Sequence, residues 1–201
     1  MVTNMGKKEI LDFKIWSTSI TRFNAAKRIT SWKHCIRWSL LSSSVYLVTL
    51  SILIYAGKIQ SSHLDESQFA SIFLSILVMS LSLSVNLNHL EIRAFQYHEC
   101  GRKIRRLASK LAGAVDDTKI DDFFENYDDI IDKYENHLSI DYYQFALHNH
   151  KQFKETQKDK IPDWYLMYLW MPIARYIPQL LVYAVTVILP LWLILEIVSF
   201  C

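Results

Sequence analysis

Along this chain the apolar residues are gathered into blocks, and two of those blocks carry no charge at all. Trp38–Ala56 (WSLLSSSVYLVTLSILIYA) is an uncharged run of 19 residues. As a helix it reaches about 28 Å, close to the hydrocarbon thickness of a bilayer. Phe69–Leu87 (FASIFLSILVMSLSLSVNL) is a second uncharged run of 19. The loop between them, GKIQSSHLDESQ, is too short for anything but an antiparallel hairpin. A third apolar block, Pro178 to Phe200, is 23 residues long with one charge, Glu196, and one internal proline, Pro190. It too is long enough to span. Just before it, residues 163–177 concentrate Trp164, Tyr165, Tyr168, Trp170 and Tyr176, the residue types that settle at the headgroup level.

Elsewhere the pattern is that of amphipathic helices. From Leu87 onward apolar residues recur three and four apart through Leu90, Ala94, Tyr97, Gly101, Ile104, Ala108, Leu111 and Val115. This is a heptad-like seam, and Leu90, Tyr97, Ile104 and Leu111 are its candidate positions for pairing with another helix or another subunit. The spacing predicts one long basic helix leaving the second span. An acidic helix follows, with Ile120, Phe123, Phe124, Tyr127, Ile131, Tyr134 and Leu138 on one side and Asp121, Asp122, Glu125, Asp128, Asp129 and Asp132 on the other. A third segment, Asp141–Lys158, reads as a helix capped by Ser139 or Asp141. Residues 9–37 read as a further basic amphipathic helix before the membrane, with Phe13, Trp16, Ile20 and Phe23 on one side, lying on the bilayer surface or packing onto the long helix.

The expected organisation is therefore an all-α integral membrane protein in five parts. These are a basic juxtamembrane helix (1–37), a transmembrane hairpin (38–87), a helical domain (88–162), an interfacial aromatic segment (163–177) and a C-terminal membrane helix (178–201). Charge orients it. Arg22, Lys27, Arg28, Lys33 and Arg37 precede the first span, while Arg93, Arg102, Lys103, Arg105, Arg106 and Lys110 follow the second. The connecting loop offers only Lys58. Both ends of the hairpin are predicted cytoplasmic, with the loop outside. Residues 1–37 hold no apolar core of signal-peptide type, so the first span is expected to stay in the mature chain.

Composition narrows the chemistry. A net charge of +2 gives no footprint for direct nucleic-acid binding. Cys35, Cys100 and Cys201 lie far apart without CxxC spacing, which fits neither a zinc site nor a disulfide framework. With four glycines in the chain, a phosphate cradle of backbone amides is hard to assemble, and no GxSxG, HExxH or dinucleotide fingerprint is present. His148 and His150, two apart, point to different faces of a helix, and His137 sits at a junction where a backbone-bonded side chain is expected. No catalytic residue, metal ligand or cofactor is predicted, and the chain is not read as an enzyme. The polar positions inside the spans are more telling. Ser39, Ser42, Tyr46 and Thr49 fall within about 80° of one another on the first helix, and Ser71, Ser75, Ser82 and Asn86 within about 60° on the second. Such faces serve close helix packing, or line a watery lumen once several hairpins assemble. From the residues alone both readings stand.

The stretches FQYHECGRKIRRLASKL after the second span and FFENYDDIIDKYENHLSIDYYQF further on resemble the SLATT proteins over roughly residues 10–158. These are bacterial two-transmembrane effectors found beside nucleotide second-messenger synthetases or reverse transcriptases. The resemblance implies an anti-phage membrane effector in the bacterial inner membrane. It would form a homo-oligomer that permeabilises the bilayer when its partner, a synthetase or a reverse transcriptase with its noncoding RNA, is triggered. It brings no catalytic residues. The segment 178–200 departs from the two-span plan. Two other classes compete: a non-conducting anchor that recruits a reverse transcriptase or nucleotidyltransferase, and a lipid-modifying enzyme depending on His137, Asp141, His148 or His150.

Overall fold

A computed structural model describes residues 6–57, 59, 64–84, 87–113, 120–149, 152 and 164–199. Every regular element among them is helical. The elements are α1 (Lys7–Tyr55), α2 (Leu64–Ser84), α3 (Leu87–Gly113), α4 (Ile120–Asp132), α5 (Ser139–His148), α6 (Trp164–Tyr183), a π turn (Ala184–Ile188) and α7 (Leu189–Ser199).

The basic stretch read as a separate helix and the first span are one element. α1 runs 49 residues without interruption. The reason is local: no glycine or proline lies between Gly6 and Gly57, so nothing in that interval breaks the i→i−4 ladder. Gly57 ends the helix with φ +63, a left-handed conformation that glycine adopts without steric cost.

The third apolar helix also begins earlier than the pattern predicts. α6 opens at Trp164 and takes in the aromatic segment, and the stretch apolar enough to cross a membrane runs from Tyr168 to Glu196. Pro172 and Pro178 are carried within α6. Pro190 has no N–H to give the carbonyl of Thr186, and the backbone answers with the π turn, in which the Leu189 N–H bonds to the Ala184 carbonyl. Such wide turns are where freed backbone groups are re-used.

The chain divides into two compact units, Met1–Thr30 with Leu90–Arg175, and Ser31–His89 with Tyr176–Cys201. In the first, α1 is packed on two sides. Leu11 and Ile15 meet Cys100, Ile104, Leu107 and Leu111 of α3 and Ile120 and Tyr127 of α4. Higher on α1, Ala25, Ala26 and Ile29 meet Tyr97, with Leu90 and Ala94 beside them. On its other side Phe13, Trp16 and Ile20 surround Phe145 of α5. At Gly101 a Cβ would stand 3.1 Å from the Phe23 ring. In the second unit, Leu50, Leu53 and Ile54 of α1 pack with Ile59, Ala70 and Ile194.

Candidate functional site

The seam of α3 is committed inside its own chain. Tyr97, Ile104 and Leu111 are buried and Leu90 is half-buried, and the clusters they join are made by α1 and α4. Of the two partners the spacing left open, another helix or another subunit, this structure supplies the first.

The link from α4 to α5 is held by three side chains from other helices. Arg22, 1% exposed, donates to the Glu135 carbonyl and lies 5.6 Å from the Tyr97 ring centroid. The Tyr97 hydroxyl donates to the Asn136 carbonyl at 2.8 Å. Arg28 grips Asp141 through two bonds, Nε to Oδ1 at 2.9 Å and Nη2 to Oδ2 at 3.0 Å. Asp141 is the third residue of α5, and its carboxylate also accepts from the Leu138 N–H at 3.3 Å. Leu138 is thus the N-cap, and Asp141 caps from within the first turn. The cap expected at Ser139 or Asp141 shifts accordingly. The rest of the predicted helix Asp141–Lys158 beyond Asn149 lies almost wholly outside the described residues. His137 fills its junction as anticipated, with Nδ1 3.2 Å from the Leu138 carbonyl. Burial, with the nearby Arg22 charge adding to it, holds its imidazole below the usual pKa. His148 Nδ1 lies 2.9 Å from the Gln144 carbonyl, and His150 is outside the described residues.

In the second unit the hydroxyls of the spans separate into two kinds. Ser39 is fully buried, and its Oγ lies 3.0 Å from Thr186 Oγ1. Ser42 and Thr49 are half-buried and turn back onto their own helix, to the carbonyls of Trp38 and Val45 at 2.8 and 2.9 Å. Tyr46 is half-buried. On α2, Ser71 is half-buried, Ser75 is exposed and donates to the Ser71 carbonyl at 2.8 Å, and Ser82 is exposed. Asn86 lies outside the described residues.

The best-built polar contact takes in only one of the predicted positions, Ser39. Ser31, Cys35, Ser39 and Ser43 form a row at four-residue spacing on α1, and each meets the third apolar helix. Ser31 donates to Gln179 Oε1 at 3.1 Å, Cys35 Sγ to the Gln179 carbonyl at 3.8 Å, and Ser43 to the Thr186 carbonyl at 3.4 Å. The last of these is the carbonyl that Pro190 leaves without its helical donor. The row was visible as SxxxCxxxSxxxS, one ridge of a helix, but its partner was not, since nothing in the sequence says which apolar helix the ridge faces. The contacts advance together, 31 and 35 with 179, then 39 and 43 with 186. The first and third apolar helices therefore run in the same direction.

Among the described residues three helices are long and apolar enough to cross a membrane, and they define an all-helical integral membrane protein with a helical domain built on the same chain. The sequence profile of the SMODS and SLOG-associating 2TM effector domain family 5 matches residues 5–195; the chain belongs to this family and is a membrane effector of the kind found in defence systems. The match extends well past the stretch 10–158 that carried the resemblance, and it takes in most of the third apolar helix. The family is named for two spans, whereas this chain has three candidates. No curated protein and no solved structure matches the chain significantly.

Proposed function

We propose that the protein is an effector of bacterial anti-phage defence that oligomerises and permeabilises the inner membrane when a partner component is triggered. Its N-terminus and helical domain face the cytoplasm, where a nucleotide second-messenger synthetase or a reverse transcriptase complex would reach it. The observation supporting this reading is the uncovered hydroxyl face of α2. Ser75 and Ser82 are exposed in the chain, within a helix otherwise suited to lipid. The row Ser31, Cys35, Ser39 and Ser43 on α1 is already occupied by Gln179 and Thr186, so packing within one chain accounts for that row and not for Ser75 and Ser82. One hairpin encloses nothing; several copies bringing their α2 faces together would make a polar lumen.

Ser75→Leu combined with Ser82→Leu is the test. Both side chains are exposed, so the fold and membrane insertion are expected to persist. Induced expression of the native chain should collapse the signal of a membrane-potential dye, and the double variant should slow that collapse about tenfold or more, since both substitutions replace lumen hydroxyls by isobutyl groups. Cell arrest with the potential intact in both would favour the non-conducting recruiting module instead.

A further inference from the structure

The helical domain carries two exposed helix faces of opposite charge. On α4 the six carboxylates Asp121, Asp122, Glu125, Asp128, Asp129 and Asp132 are all exposed and share an arc of about 120° at 100° per residue. The apolar side of the helix, through Ile120 and Tyr127, is buried in the core. On α3, Arg102, Arg105, Arg106 and Lys110 are exposed on the side away from Ile104, Leu107 and Leu111. Among the described residues, few ion pairs neutralise either face. Asp121 pairs with Lys7 at 3.1 Å and Arg102 with Glu99 at 2.5 Å. Among the described residues no ion pair reaches Asp122, Glu125, Asp128, Asp129, Asp132, Arg105, Arg106 or Lys110.

These faces are costly to a lone chain. Glu125 faces Asp121 and Asp129 at i±4, Asp128 faces Asp132, and Arg106 faces both Arg102 and Lys110. Every such like-charged pair works against its helix. A solvated face needs no such concentration, because mixed signs dissolve as well and repel less. Each face also spans a similar length, about 17 Å from Asp121 to Asp132 and about 12 Å from Arg102 to Lys110 by helix rise.

We infer that a second copy of this chain covers these faces, the acidic face of α4 in one copy docking on the basic face of α3 in the next. Because the two faces are different surfaces of one chain, the contact is head-to-tail, and its repetition builds a ring or a filament rather than a closed pair. The inference rests on the oligomeric reading above and names the surfaces that carry it. The seam residues Tyr97, Ile104 and Leu111 are spent inside the chain, so assembly falls to these outer faces.

Charge reversal tests it with the full chain in membranes. One variant carries Glu125→Lys and Asp129→Lys, the other Arg106→Glu and Lys110→Glu, each expressed in two differently tagged forms. Helical content by circular dichroism and membrane insertion are checked first, and all four positions being exposed, both should match the native chain. Co-purification of tagged copies from detergent at low salt should fall about tenfold or more for either variant alone, because reversal sets like charges face to face. Mixing the two variants should restore it, since the reversed face of α4 in one variant then meets the reversed face of α3 in the other, while the native faces meet each other. Native-level self-association of either variant overturns the docking, as does loss in both without recovery on mixing, which would assign the faces to another partner. A membrane-potential dye in the same cells keeps the readings apart: restored assembly without depolarisation sinks permeabilisation and leaves the docking standing.

Discussion

Asp141 shows how much one residue holds in this molecule. Its carboxylate is 1% exposed, takes both arms of Arg28 and caps α5 through the Leu138 N–H. Asp141→Ala leaves a partly buried guanidinium without its counter-charge, a loss typically worth about 3–5 kcal/mol. Thermal unfolding in detergent, followed by helical content, should show that drop, and Asp141→Glu should recover little, because the added methylene displaces both bonds. His137, four residues earlier, adds a pH dependence. Burial depresses its pKa in the folded protein, so below about 6.5 the unfolded chain binds a proton that the folded chain resists. Stability should therefore fall as pH drops through that value, the fall deepening until the folded-state pKa is passed. The charges nearest the ring are Arg22, which disfavours its protonation, and Asp141, which favours it. His137→Gln, neutral throughout, should flatten the dependence of melting temperature on pH from about 7.5 to about 5.5, the window around the ordinary imidazole pKa. An unchanged slope would assign the acid sensitivity to another group.

At the scale of elements, Gly101 decides how closely α1 and α3 approach. A methyl there would meet Phe23 at 3.1 Å, and the ring also stands edge to face with His98, one turn earlier on α3, at 5.3 Å between centroids. Gly101→Ala should destabilise by about 1 kcal/mol, crowding of about 1–3 kcal/mol outweighing the roughly 1 kcal/mol that alanine gains in a helix. In a Phe23→Ala background the same change should become stabilising, and a double-mutant cycle on unfolding free energies reads the difference. Equal effects in both backgrounds would mean the ring does not set the spacing. The three apolar helices, the seam and the acidic face were all legible, because each is a periodic pattern dictated by burial. Partnership was not legible. Arg22 and Arg28, read only as positive charge flanking a span, are bound into the α4–α5 link, a role set by chain segments more than a hundred residues away. Likewise Ser42 and Thr49 satisfy themselves on their own helix, whereas Ser39 and the unremarked Ser43 meet Thr186. A hydroxyl's position on a wheel shows which way it points but not what stands opposite.

For the whole molecule, those cross-helix contacts bear on topology. Ser31 and Cys35 meet Gln179 while Ser39 and Ser43 meet Thr186, so the first and third apolar helices are parallel, and the short loop after α1 makes α2 antiparallel to the first. If all three cross, helices arranged this way run out, back and out, and the residues before the first span are expected on the opposite side from those after the third. The positive residues flanking the hairpin favour the cytoplasm for the N-terminal end. An impermeant thiol reagent applied to spheroplasts should then label a cysteine placed in the loop by Ser62→Cys, and also Cys201. A cysteine introduced by Thr3→Cys should react only after permeabilisation. Cys35 and Cys100 are buried and contribute little background, and Cys201→Ser makes the loop reading unambiguous. If Cys201 is protected together with the N-terminus, the third helix does not cross. The row of Gln179 and Thr186 would then be packing against α1 from a helix that enters the bilayer and stops short. If the loop and Cys201 are protected together while the cysteine at position 3 reacts, the hairpin is inverted, and the helical domain and its charged faces lie outside, away from any cytoplasmic trigger. Labelling of the loop and the C-terminal cysteine from outside is the expected result, since that arrangement satisfies the parallel contacts and the flanking charge and uses the full apolar length of Tyr168–Glu196.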